Sequence, residues 1–534
     1  MQLHAIEIPV RYLPPLGPSV RALMVWPRFP HSYWGLEGML DMMPESSIMP
    51  PLGLITVAAL CPKSWDIRLV DCAFETLTDD HLRWADLVMV SAMYVQREDA
   101  HRTLARARAL GKRTIIGGAY ASSQPEAVSE LADHVVVGEP DEIFHQIASD
   151  LDLGTARAIY RIEDKPDISH TPVPRFDLLD MRRYASMSVQ FSRGCPFQCE
   201  FCDIITIYGR RPRTKTPTQL IAELDVLKNA GWRKQVFIVD DNFIGNQKKA
   251  LELSCELERW QDRNHRPFAF YTEASIDLAE KEELLAAMVR ANFFYVFIGI
   301  ETPSVDSLQE TKKFQNLRVD PLQAVRFIQR RGLWVMGGFI VGFDSDRPDI
   351  FERQIDFIER AAIPWAMAGV LQAPPTTPLF DRMMNEGRLI LESQATSNFS
   401  PPNFRTRMPL PVLMEGMRRT LLSIYSPESF FERTLRSIHY WQPHESQRTP
   451  PIPTRYQVKV ALRSIWKQGF RSTYRWIYWR SLFRLLWIAG RDFRKEWLGF
   501  VIMMSGRHFI SYAAEIAEEM KPLCTESGNA ATGD

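Results

Sequence analysis

Three cysteines within eight residues carry the strongest chemical signal in the sequence. The run Cys195-Pro-Phe-Gln-Cys199-Glu-Phe-Cys202 follows a predicted strand and the turn Arg193-Gly194. Spacings of four and then three residues can direct the three sulfurs towards one point. Three thiolates would leave one position of a four-iron cluster without a protein ligand, because such clusters usually take four cysteines. A chelating small molecule can occupy that open iron.

The cysteine run also fits three alternatives to an iron cluster, and these stay open at this point. A structural zinc site usually takes four ligands, often as two C-x-x-C pairs, and the sequence contains no second pair. A disulfide with a spare thiol is unusual in a reducing compartment. The three cysteines could also be incidental residues of a loop. We interpret the remaining, scattered cysteines as ordinary buried or surface thiols, namely Cys61, Cys72, Cys255 and Cys524.

The composition excludes several classes of protein. Of the 534 residues, 46% are hydrophobic and 24% are charged, which is typical of packed globular domains and excludes global disorder. The 64 basic and 64 acidic side chains balance, so the net charge favours neither nucleic acid nor an acidic substrate. Seven cysteines are too few for a disulfide scaffold. With no secretory signal and no stretch of roughly 18 uncharged apolar residues, we expect a cytoplasmic protein.

The first 150 residues alternate short apolar runs with helical patterns. Such runs are typical of strands buried on both faces of a parallel sheet, so we predict a doubly wound, Rossmann-like α/β domain over residues 1–150. The predicted strands are Ala22–Trp26, Ile67–Val70, Leu87–Ser91, Thr114–Ile116 and Val135–Val137. Ligands of such sheets bind at the carboxyl ends of the strands. The residues at these ends are Ser91, Gly117, Gly118, Gly138 and Glu139.

A second strand–helix alternation occupies residues 186–385, after a proline-containing linker predicted over residues 151–185. Six strands in series, with a helix after each of the first five, predict a barrel or partial barrel. The predicted strands are Ser188–Ser192, Gln235–Asp240, Phe268–Glu273, Phe294–Ile300, Val335–Val341 and Ala366–Gln372. The predicted helices are Thr218–Asn229, Lys248–Arg259, Lys281–Ala291, Leu322–Arg331 and Ile350–Ala361.

Acidic residues stand at the ends of four successive strands of this predicted barrel. They are Asp240, Glu273, Glu301 and Asp344. Side chains at the carboxyl ends of barrel strands meet at the mouth of the barrel, where they can hydrogen-bond a ribose or an aminoacyl group. Acids that follow strands also cap the next helix, and this alternative stays open for each of them.

The cysteine run, with the aromatic Phe201 before its third cysteine, resembles the motif of the radical S-adenosylmethionine (SAM) enzymes. In that family the cysteines lie in the loop after the first barrel strand and hold a 4Fe–4S cluster whose open iron binds SAM. The resemblance implies Cys195, Cys199 and Cys202 as metal ligands, and an electron donor of the flavodoxin or ferredoxin class. It also implies that Phe201 lies next to the adenine of SAM. We expect further contacts to SAM from the strand-end residues Asp240, Glu273, Gly299 and Glu301.

The N-terminal domain resembles the cobalamin-binding domains that precede some radical SAM barrels. Three segments carry this resemblance, Met49–Leu54, Gly117–Tyr120 and Val137–Pro140. The D-x-H-x-x-G motif of mutase-type domains is absent, since Asp79–Trp84 lacks its glycine, and we expect no histidine ligand to cobalt. The resemblance implies cobalamin contacts from Leu52, Gly53, Ser91, Gly117, Gly118, Gly138 and Glu139.

Together the two domains imply methyl transfer. In the family that the chain resembles, cobalamin accepts a methyl group from one SAM, and a second SAM supplies the radical that activates the substrate carbon. The segment Leu371–Pro378 resembles one found in the subgroup that includes hopanoid C-2 methylases and bacteriochlorophyll side-chain methylases, with Thr376 where glycine is usual. We therefore expect methylation of an unactivated carbon of a polycyclic lipid, and favour hopanoid C-2 methylation. The alternatives are tetrapyrrole methylation, a non-methylating radical cyclisation or rearrangement, and a cobalamin- or redox-responsive binding protein.

Residues 386–520 are predicted to form a C-terminal helical domain, followed by a disordered tail over residues 521–534. Between Arg455 and Lys495, eleven basic side chains accompany a single acid, Asp492, and tryptophans are interleaved with them. Three interpretations are open: packing helices with solvated basic faces, peripheral docking of residues 454–520 on anionic lipid at the inner face of the membrane, and stacking on single-stranded nucleic acid. No recognised nucleic-acid module accompanies the segment, which disfavours the last.

Overall fold

A computed structural model describes residues 13–390, 397–449 and 454–525 of the chain. Its N-terminal region is a six-stranded, all-parallel sheet with the order β2-β1-β3-β4-β5-β6. The strands are β1 (Arg21–Trp26), β2 (Asp66–Asp71), β3 (Leu87–Ser91), β4 (Arg113–Gly117), β5 (His134–Val137) and β6 (Ile159–Arg161). The helices are α1 (Glu37–Leu40), α2 (Leu52–Leu60), α3 (Asp79–Trp84), α4 (Arg97–Ala109), α5 (Gly118–Ser123), α6 (Pro125–Ser129) and α7 (Phe144–Leu153).

Both faces of this first sheet are buried, which explains its continuous apolar strands. Val90 and Ile116 belong to the core on one face, whereas Met89 and Ile115 belong to the core on the other. Alternate residues of each strand therefore enter different cores, as a sheet covered by helices on both faces requires. The predicted α/β fold of this region is confirmed.

The sixth strand lies in the segment predicted as a linker. Strand β6 pairs with β5, with Val135 opposite Ile159, and α7 also continues past residue 150. Three residues are too few for a periodic pattern to show, and the nearby prolines dominate the local sequence.

The central region is a second six-stranded parallel sheet, with strand order β14-β13-β12-β11-β10-β7. Its strands are β7 (Ser186–Val189), β10 (Gln235–Ile238), β11 (Ala269–Ala274), β12 (Phe293–Glu301), β13 (Trp334–Val341) and β14 (Ala366–Val370). The short strands β8 (Ser192–Arg193) and β9 (Arg213–Thr214) form a separate antiparallel pair. The helices are α8 (Ile204–Ile207), α9 (Pro217–Asn229), α10 (Gln247–Arg263), α11 (Glu282–Arg290), α12 (Val305–Glu310), α13 (Pro321–Arg330), α14 (Ile350–Ala361) and α15 (Pro378–Asn385).

The second sheet is an open partial barrel, because β7 and β14 are its two edges and do not pair with each other. Helices α9, α10, α11, α13 and α14 correspond to the five predicted helices. The first predicted strand, Ser188–Ser192, is divided in two: β7 ends at Val189, and Ser192 pairs instead with Thr214. Backbone and side-chain hydrogen bonds to the Asp240 carboxylate hold the bend between the two pieces.

The C-terminal region is helical. It contains α16 (Leu410–Ile424), α17 (Pro427–Tyr440), α18 (Thr454–Ser464), α19 (Arg475–Ala489), α20 (Phe493–Glu519) and α21 (Lys521–Thr525). A π-helical turn, Ile465–Phe470, separates α18 from α19 around Gly469. Among the described residues, no helix is both long enough and apolar enough to cross a membrane.

Part of the predicted tail is ordered. Helix α21 packs against α16, and the Cys524 thiol donates a hydrogen bond to the carbonyl of Met520 at 3.2 Å. Residues 526–534 of that prediction lie outside the described residues.

One hydrophobic core joins the central and C-terminal regions and includes residues from the N-terminal part of the chain. Tyr33 and Met39 lie in the same buried cluster as Val236 of β10 and Phe509 of α20. The segment between β1 and α2 therefore connects the first sheet to both of the other regions.

Replacing Gly138 tests the junction between β5 and the segment after β6. Gly138 has φ of +98°, and an added Cβ would lie 2.6 Å from the backbone oxygen of Ile162. We expect Gly138→Ala to destabilise the protein by about 1–3 kcal/mol, because both the strained φ and the clash must be accommodated. Thermal unfolding of the two proteins, followed by circular dichroism, measures the loss.

Gly111→Ala is the matched control, because Gly111 has φ of +68° but no atom within 4 Å of an added Cβ. The stability of this variant should fall only by the free energy of backbone strain, on the order of 1 kcal/mol. Equal losses in the two variants would show that close packing at Gly138 contributes nothing.

Candidate functional site

The cysteine loop lies between β8 and α8, at the carboxyl end of the first strand of the partial barrel. Gly194 begins it with φ of +95°, and an added Cβ would lie 2.7 Å from the backbone oxygen of Gly209. The Cys195 N–H donates to that same oxygen at 3.2 Å. A glycine is therefore required before the first cysteine, where the loop turns close to another backbone segment.

The three thiols are close enough to influence one another. Burial raises the pKa of the Cys202 thiol, and the charges of Asp203, Cys199 and Cys195 raise it further. Burial likewise raises the pKa of Cys195, and the Cys199 charge adds to this effect. Three neighbouring sulfurs in a partly buried loop fit a cluster that is bound by thiolates.

Two amides donate towards these sulfurs. The distance from Asn242 Nδ2 to Cys195 Sγ is 3.8 Å, and that from Gln315 Nε2 to Cys199 Sγ is 3.6 Å. N–H donors to cysteine sulfurs stabilise the negative charge of an iron–sulfur centre and tune its potential. The predicted ligand set therefore has donors around it that suit this group.

Buried ion pairs fix the loop to the first domain. Arg193 Nη1 lies 2.8 Å from both Glu139 Oε2 and Asp141 Oδ2, and Arg213 Nη2 lies 2.8 Å from Glu139 Oε1. Both oxygens of the Glu139 carboxylate are thus occupied by arginines. The sequence predicts Glu139 as a cobalamin contact, whereas in the structure its carboxylate joins the carboxyl edge of the first sheet to the β8–β9 pair.

A second set of ion pairs fixes the other side of the loop. Arg382 of α15 binds Glu200 within the cysteine run at 2.7 Å, Asp344 at 2.9 Å and Glu310 at 3.3 Å. Asp344 also pairs with Arg388 at 2.6 Å. The carboxylate of Asp344 is therefore paired with both of these arginines. The sequence predicts it as part of a polar ring at the mouth of the barrel.

Asp240 and Glu301, two further strand-end acids, also have protein partners. Asp240 accepts hydrogen bonds from the Phe191 N–H at 2.8 Å and the Ser192 hydroxyl at 2.6 Å. Glu301, in the left-handed conformation at φ of +64°, forms a buried ion pair with Lys313. Their predicted role as SAM contacts stays a prediction, and each has a structural role in addition.

Lys313 is a site residue that the sequence pattern does not distinguish. Its ammonium group lies 5.9 Å from the centre of the Phe201 ring, next to the third cysteine. Burial would lower the pKa of Lys313, but Glu301 and then Cys199 raise it, so the net shift is upward. A Cβ on Gly299 would overlap the Glu301 carboxylate and lie 2.7 Å from Lys313 Nζ. Gly299 thus makes room for the ion pair.

Glu273 differs from the other three strand-end acids. Within the described residues it has no hydrogen-bond or ion-pair partner, and burial, with the charges of Asp241 and Asp240, raises its pKa to about 8. Burial and the charge of Asp240 raise the pKa of Asp241 to about 7. The charge of Asp241 raises the pKa of both Cys195 and Glu273, so it lies near both groups.

Glu273 lines a cavity of about 1190 Å³ that all three regions of the chain enclose. The cysteines themselves are not among its lining residues. Most of the lining is apolar or aromatic, and includes Phe29, Met49 and Met93 from the first region, Tyr271, Phe297 and Met336 from the partial barrel, and Tyr456, Trp497 and Val501 from the C-terminal helices. Such a cavity suits a large apolar molecule.

The predicted cobalamin residues occupy two places in the first domain. Leu52 and Gly53 begin α2, and an added Cβ on Gly53 would meet open space. The remaining residues, Ser91, Gly117, Gly118 and Gly138, lie at the carboxyl ends of β3, β4 and β5.

Internal packing explains the glycines at two of these strand ends. An added Cβ on Gly118 would lie 2.6 Å from the Ser91 hydroxyl, and one on Gly138 would lie 2.6 Å from the backbone oxygen of Ile162. Of these glycines, Gly53 is the one with open space for a ligand to approach closely.

Two departures from family motifs are accounted for by local structure. His81 Nδ1 accepts a hydrogen bond from the Thr78 N–H and so caps α3. The absence of a histidine ligand to cobalt stays a prediction. Thr376, which stands where glycine is usual, has φ of +72°, in the left-handed region that favours glycine. Its backbone oxygen accepts a hydrogen bond from the Thr206 hydroxyl at 3.0 Å.

Comparison with protein families matches three successive regions of the chain. The B12 binding domain matches residues 46–148, the Radical SAM superfamily matches residues 189–358, and a domain of unknown function (DUF4070) matches residues 377–521. These matches correspond to the first sheet, the partial barrel and the C-terminal helices.

Similar proteins share this layout. The chain is 39% identical to an uncharacterized methyltransferase of Synechocystis, over 94% of this chain and 93% of the relative. It is 35% identical to the hopanoid C-2 methylase of Rhodopseudomonas palustris, over 93% of this chain and 94% of the relative. The cobalamin-dependent SAM radical enzyme OxsB, solved with aqua-cobalamin and SAM bound, has the same fold with a TM-score of 0.59 at 15% identity, over 96% of this chain and 82% of that one.

These matches agree with the geometry of the site. The cofactors are a 4Fe–4S cluster, SAM and cobalamin, and the cysteine loop, held between the two α/β regions, fits the cluster. The chain belongs to the cobalamin-dependent radical SAM methyltransferases.

Proposed function

We propose that this methyltransferase adds a methyl group to an unactivated carbon of a polycyclic lipid, and that the reaction is hopanoid C-2 methylation. The observation that carries the proposal is the apolar cavity of about 1190 Å³, which extends from the amino ends of the barrel strands, at Ser186 and Gln235, to Glu273 near the carboxyl end of β11. This volume exceeds that of most small-molecule pockets, roughly 300–1,000 Å³. The similarity to a hopanoid C-2 methylase over nearly the whole chain supports the same substrate class.

The lining of the cavity suits a rigid, flat hydrocarbon. Aromatic side chains such as Tyr271 and Trp497 offer broad apolar faces, and methionines such as Met93 and Met336 adapt to an irregular shape. With its pKa raised to about 8, the Glu273 carboxyl is mainly protonated near pH 7. A neutral carboxyl group costs less to enclose with a hydrocarbon than a carboxylate does.

The contribution of the protein is to position its cofactors. When bound, the cluster with SAM supplies a radical and cobalamin carries the methyl group. Glu139 and Arg193 fix the cysteine loop against the first domain, and the Lys313–Glu301 pair presents a cation beside Phe201. Because the reacting groups from two domains are held in one fixed geometry, the reaction does not have to bring them together at a cost in entropy.

A lipid assay tests the substrate. The protein is produced in a bacterium that makes hopanoids without a C-2 methyl group, and total lipids are analysed by mass spectrometry. We expect a hopanoid heavier by one methylene that carries label from methyl-labelled methionine. Cys199→Ala should abolish it, because the cluster loses a ligand, whereas Cys255→Ala should not, because Cys255 lies outside the cluster motif.

Unchanged hopanoids alongside a methylated pigment would overturn the lipid assignment in favour of a tetrapyrrole. Label in no product, with a rearranged molecule instead, would overturn methylation of the substrate altogether.

We propose further that α18, the π-helical turn and α19 contact an anionic membrane surface, from which the substrate is taken. Trp487 and Trp476 are 84% and 75% exposed, unlike Trp260, Trp334 and Trp441, which are fully buried. Exposed tryptophans among basic residues are typical of helices that lie at the boundary of a bilayer.

Exposed basic side chains also support membrane contact by this segment. Arg471, Arg475 and Arg491 are exposed and form no ion pair with any residue that the structure describes. Uncompensated cations near the surface of an anionic membrane contribute about 1 kcal/mol each. The same region also forms part of the cavity wall, through Tyr456 and Val460 of α18.

Flotation with vesicles tests this surface. We expect the protein to float with vesicles that contain anionic lipid, less so at high salt, because salt screens the attraction. The double variant Trp476→Ala/Trp487→Ala should stay at the bottom of the gradient, whereas Leu153→Ala, which removes an exposed leucine from α7, should float normally. Equal flotation of both variants would exclude these tryptophans from membrane contact.

A further inference from the structure

A group of metal-ligating side chains lies away from the cysteine loop, where the segment after β1 meets α20. Ligand atoms of His31, Glu37 and His508 all lie within 4.8 Å of one another. His31 Nε2 is 3.3 Å from Glu37 Oε2, and His508 Nδ1 is 3.7 Å from that same oxygen. The chain thus brings together two imidazoles and a carboxylate from its two ends.

These distances correspond to neighbouring ligands of a tetrahedral ion. Zinc binds histidine nitrogen and carboxylate oxygen at about 2.0–2.1 Å, which separates adjacent ligand atoms by about 3.3 Å. The two distances to Glu37 Oε2, 3.3 and 3.7 Å, are close to this value, and all three ligand atoms lie within 4.8 Å of one another. Two imidazoles with one carboxylate also form a donor set that zinc commonly takes, with the fourth position left for water.

Two glycines make room for this arrangement. A Cβ on Gly35 would overlap the Glu37 carboxylate, and a Cβ on Gly38 would lie 2.7 Å from the Cα of His508. Gly38 therefore lets α1 approach α20 closely enough for the two side chains to meet. The Gly38 N–H donates a long hydrogen bond of 3.4 Å to His508 Nδ1, which an ion would replace.

The surroundings match those of known histidine–metal sites. His31 Nδ1, on the far side of the ring from Glu37, lies 3.6 Å from Glu515 Oε2. Metal-bound histidines usually direct their second nitrogen at a carboxylate, which fixes the ring and strengthens the ligand. Glu37 Oε2, the oxygen shared by both imidazoles, is buried and accepts no hydrogen bond from the described residues.

We propose that His31, Glu37 and His508 form a zinc site that ties the segment after β1 to α20. His31 lines the cavity together with Ser32, Tyr33, Leu36 and Tyr512, so the ion would fix one wall of it. The site joins the first region of the chain to the C-terminal helices. Its ligands do not include the three cysteines, and the proposal does not depend on which substrate the cavity binds.

Zinc analysis of the full-length protein tests the site. The 4Fe–4S cluster is first reconstituted without oxygen, so that the cysteines are occupied, and zinc is then added and the excess removed. We expect one zinc per chain. Glu37→Gln and His31→Ala should each weaken zinc binding by more than tenfold, and Glu515→Gln by about 10–100-fold.

Two controls keep the outcome clear. His439→Ala removes an exposed histidine of α17 outside the group and should leave zinc binding unchanged. His31 and Glu37 are each 44% exposed, so their variants should fold even where the buried His508→Ala does not. X-ray absorption at the zinc edge should show nitrogen or oxygen neighbours at about 2.0–2.1 Å.

Either of two results would overturn the proposal. One is a cluster-loaded protein that binds no zinc, or binds it equally well in the Glu37→Gln and His31→Ala variants. The other is a sulfur neighbour at about 2.3 Å, which would place the ion on cysteine thiols.

Discussion

The buried cation of Arg193, shared between Glu139 and Asp141, is the interaction on which the candidate site depends. Burial alone would lower the pKa of Arg193, but the two carboxylates raise it, so the side chain stays charged. Removing one partner from such a buried group typically costs about 3–5 kcal/mol, because the other charge is left uncompensated. This interaction sets the position of the loop that begins at Gly194 relative to the first sheet, and hence the position of a cluster relative to a cobalamin.

The proposed substrate cavity also depends on contacts between regions of the chain. None of the three regions encloses it alone, since the first region, the partial barrel and the C-terminal helices each supply part of the wall. Tyr33 and Met39 pack in one core with Phe509, so the segment after β1 and α20 share one hydrophobic core. The shape of the proposed substrate cavity therefore depends on how the three regions pack against one another.

Much of this architecture could be predicted from local sequence. The two strand–helix series follow from apolar runs with intervening helical patterns. The cysteine loop could be located because three cysteines within eight residues are rare by chance. What could not be predicted depends on distant partners. The ion pairs of Glu139 with Arg193 and Arg213 join residues that are more than 50 positions apart in the sequence. Lys312 and Lys313 are adjacent and chemically identical, yet Lys312 is exposed and Lys313 is buried against Glu301. The short strand β6 escapes prediction because three residues carry too little pattern.

The central claim is that Cys195, Cys199 and Cys202 hold a four-iron cluster in the loop between the two α/β regions. The most direct measurement is the iron and sulfide content of the protein after reconstitution without oxygen, with the electron paramagnetic resonance spectrum of the reduced sample. The account predicts about four iron and four sulfide per chain, and a signal that changes when SAM is added. A chain that holds zinc at these cysteines in place of iron, or keeps its full iron content after Cys195→Ala, would contradict it.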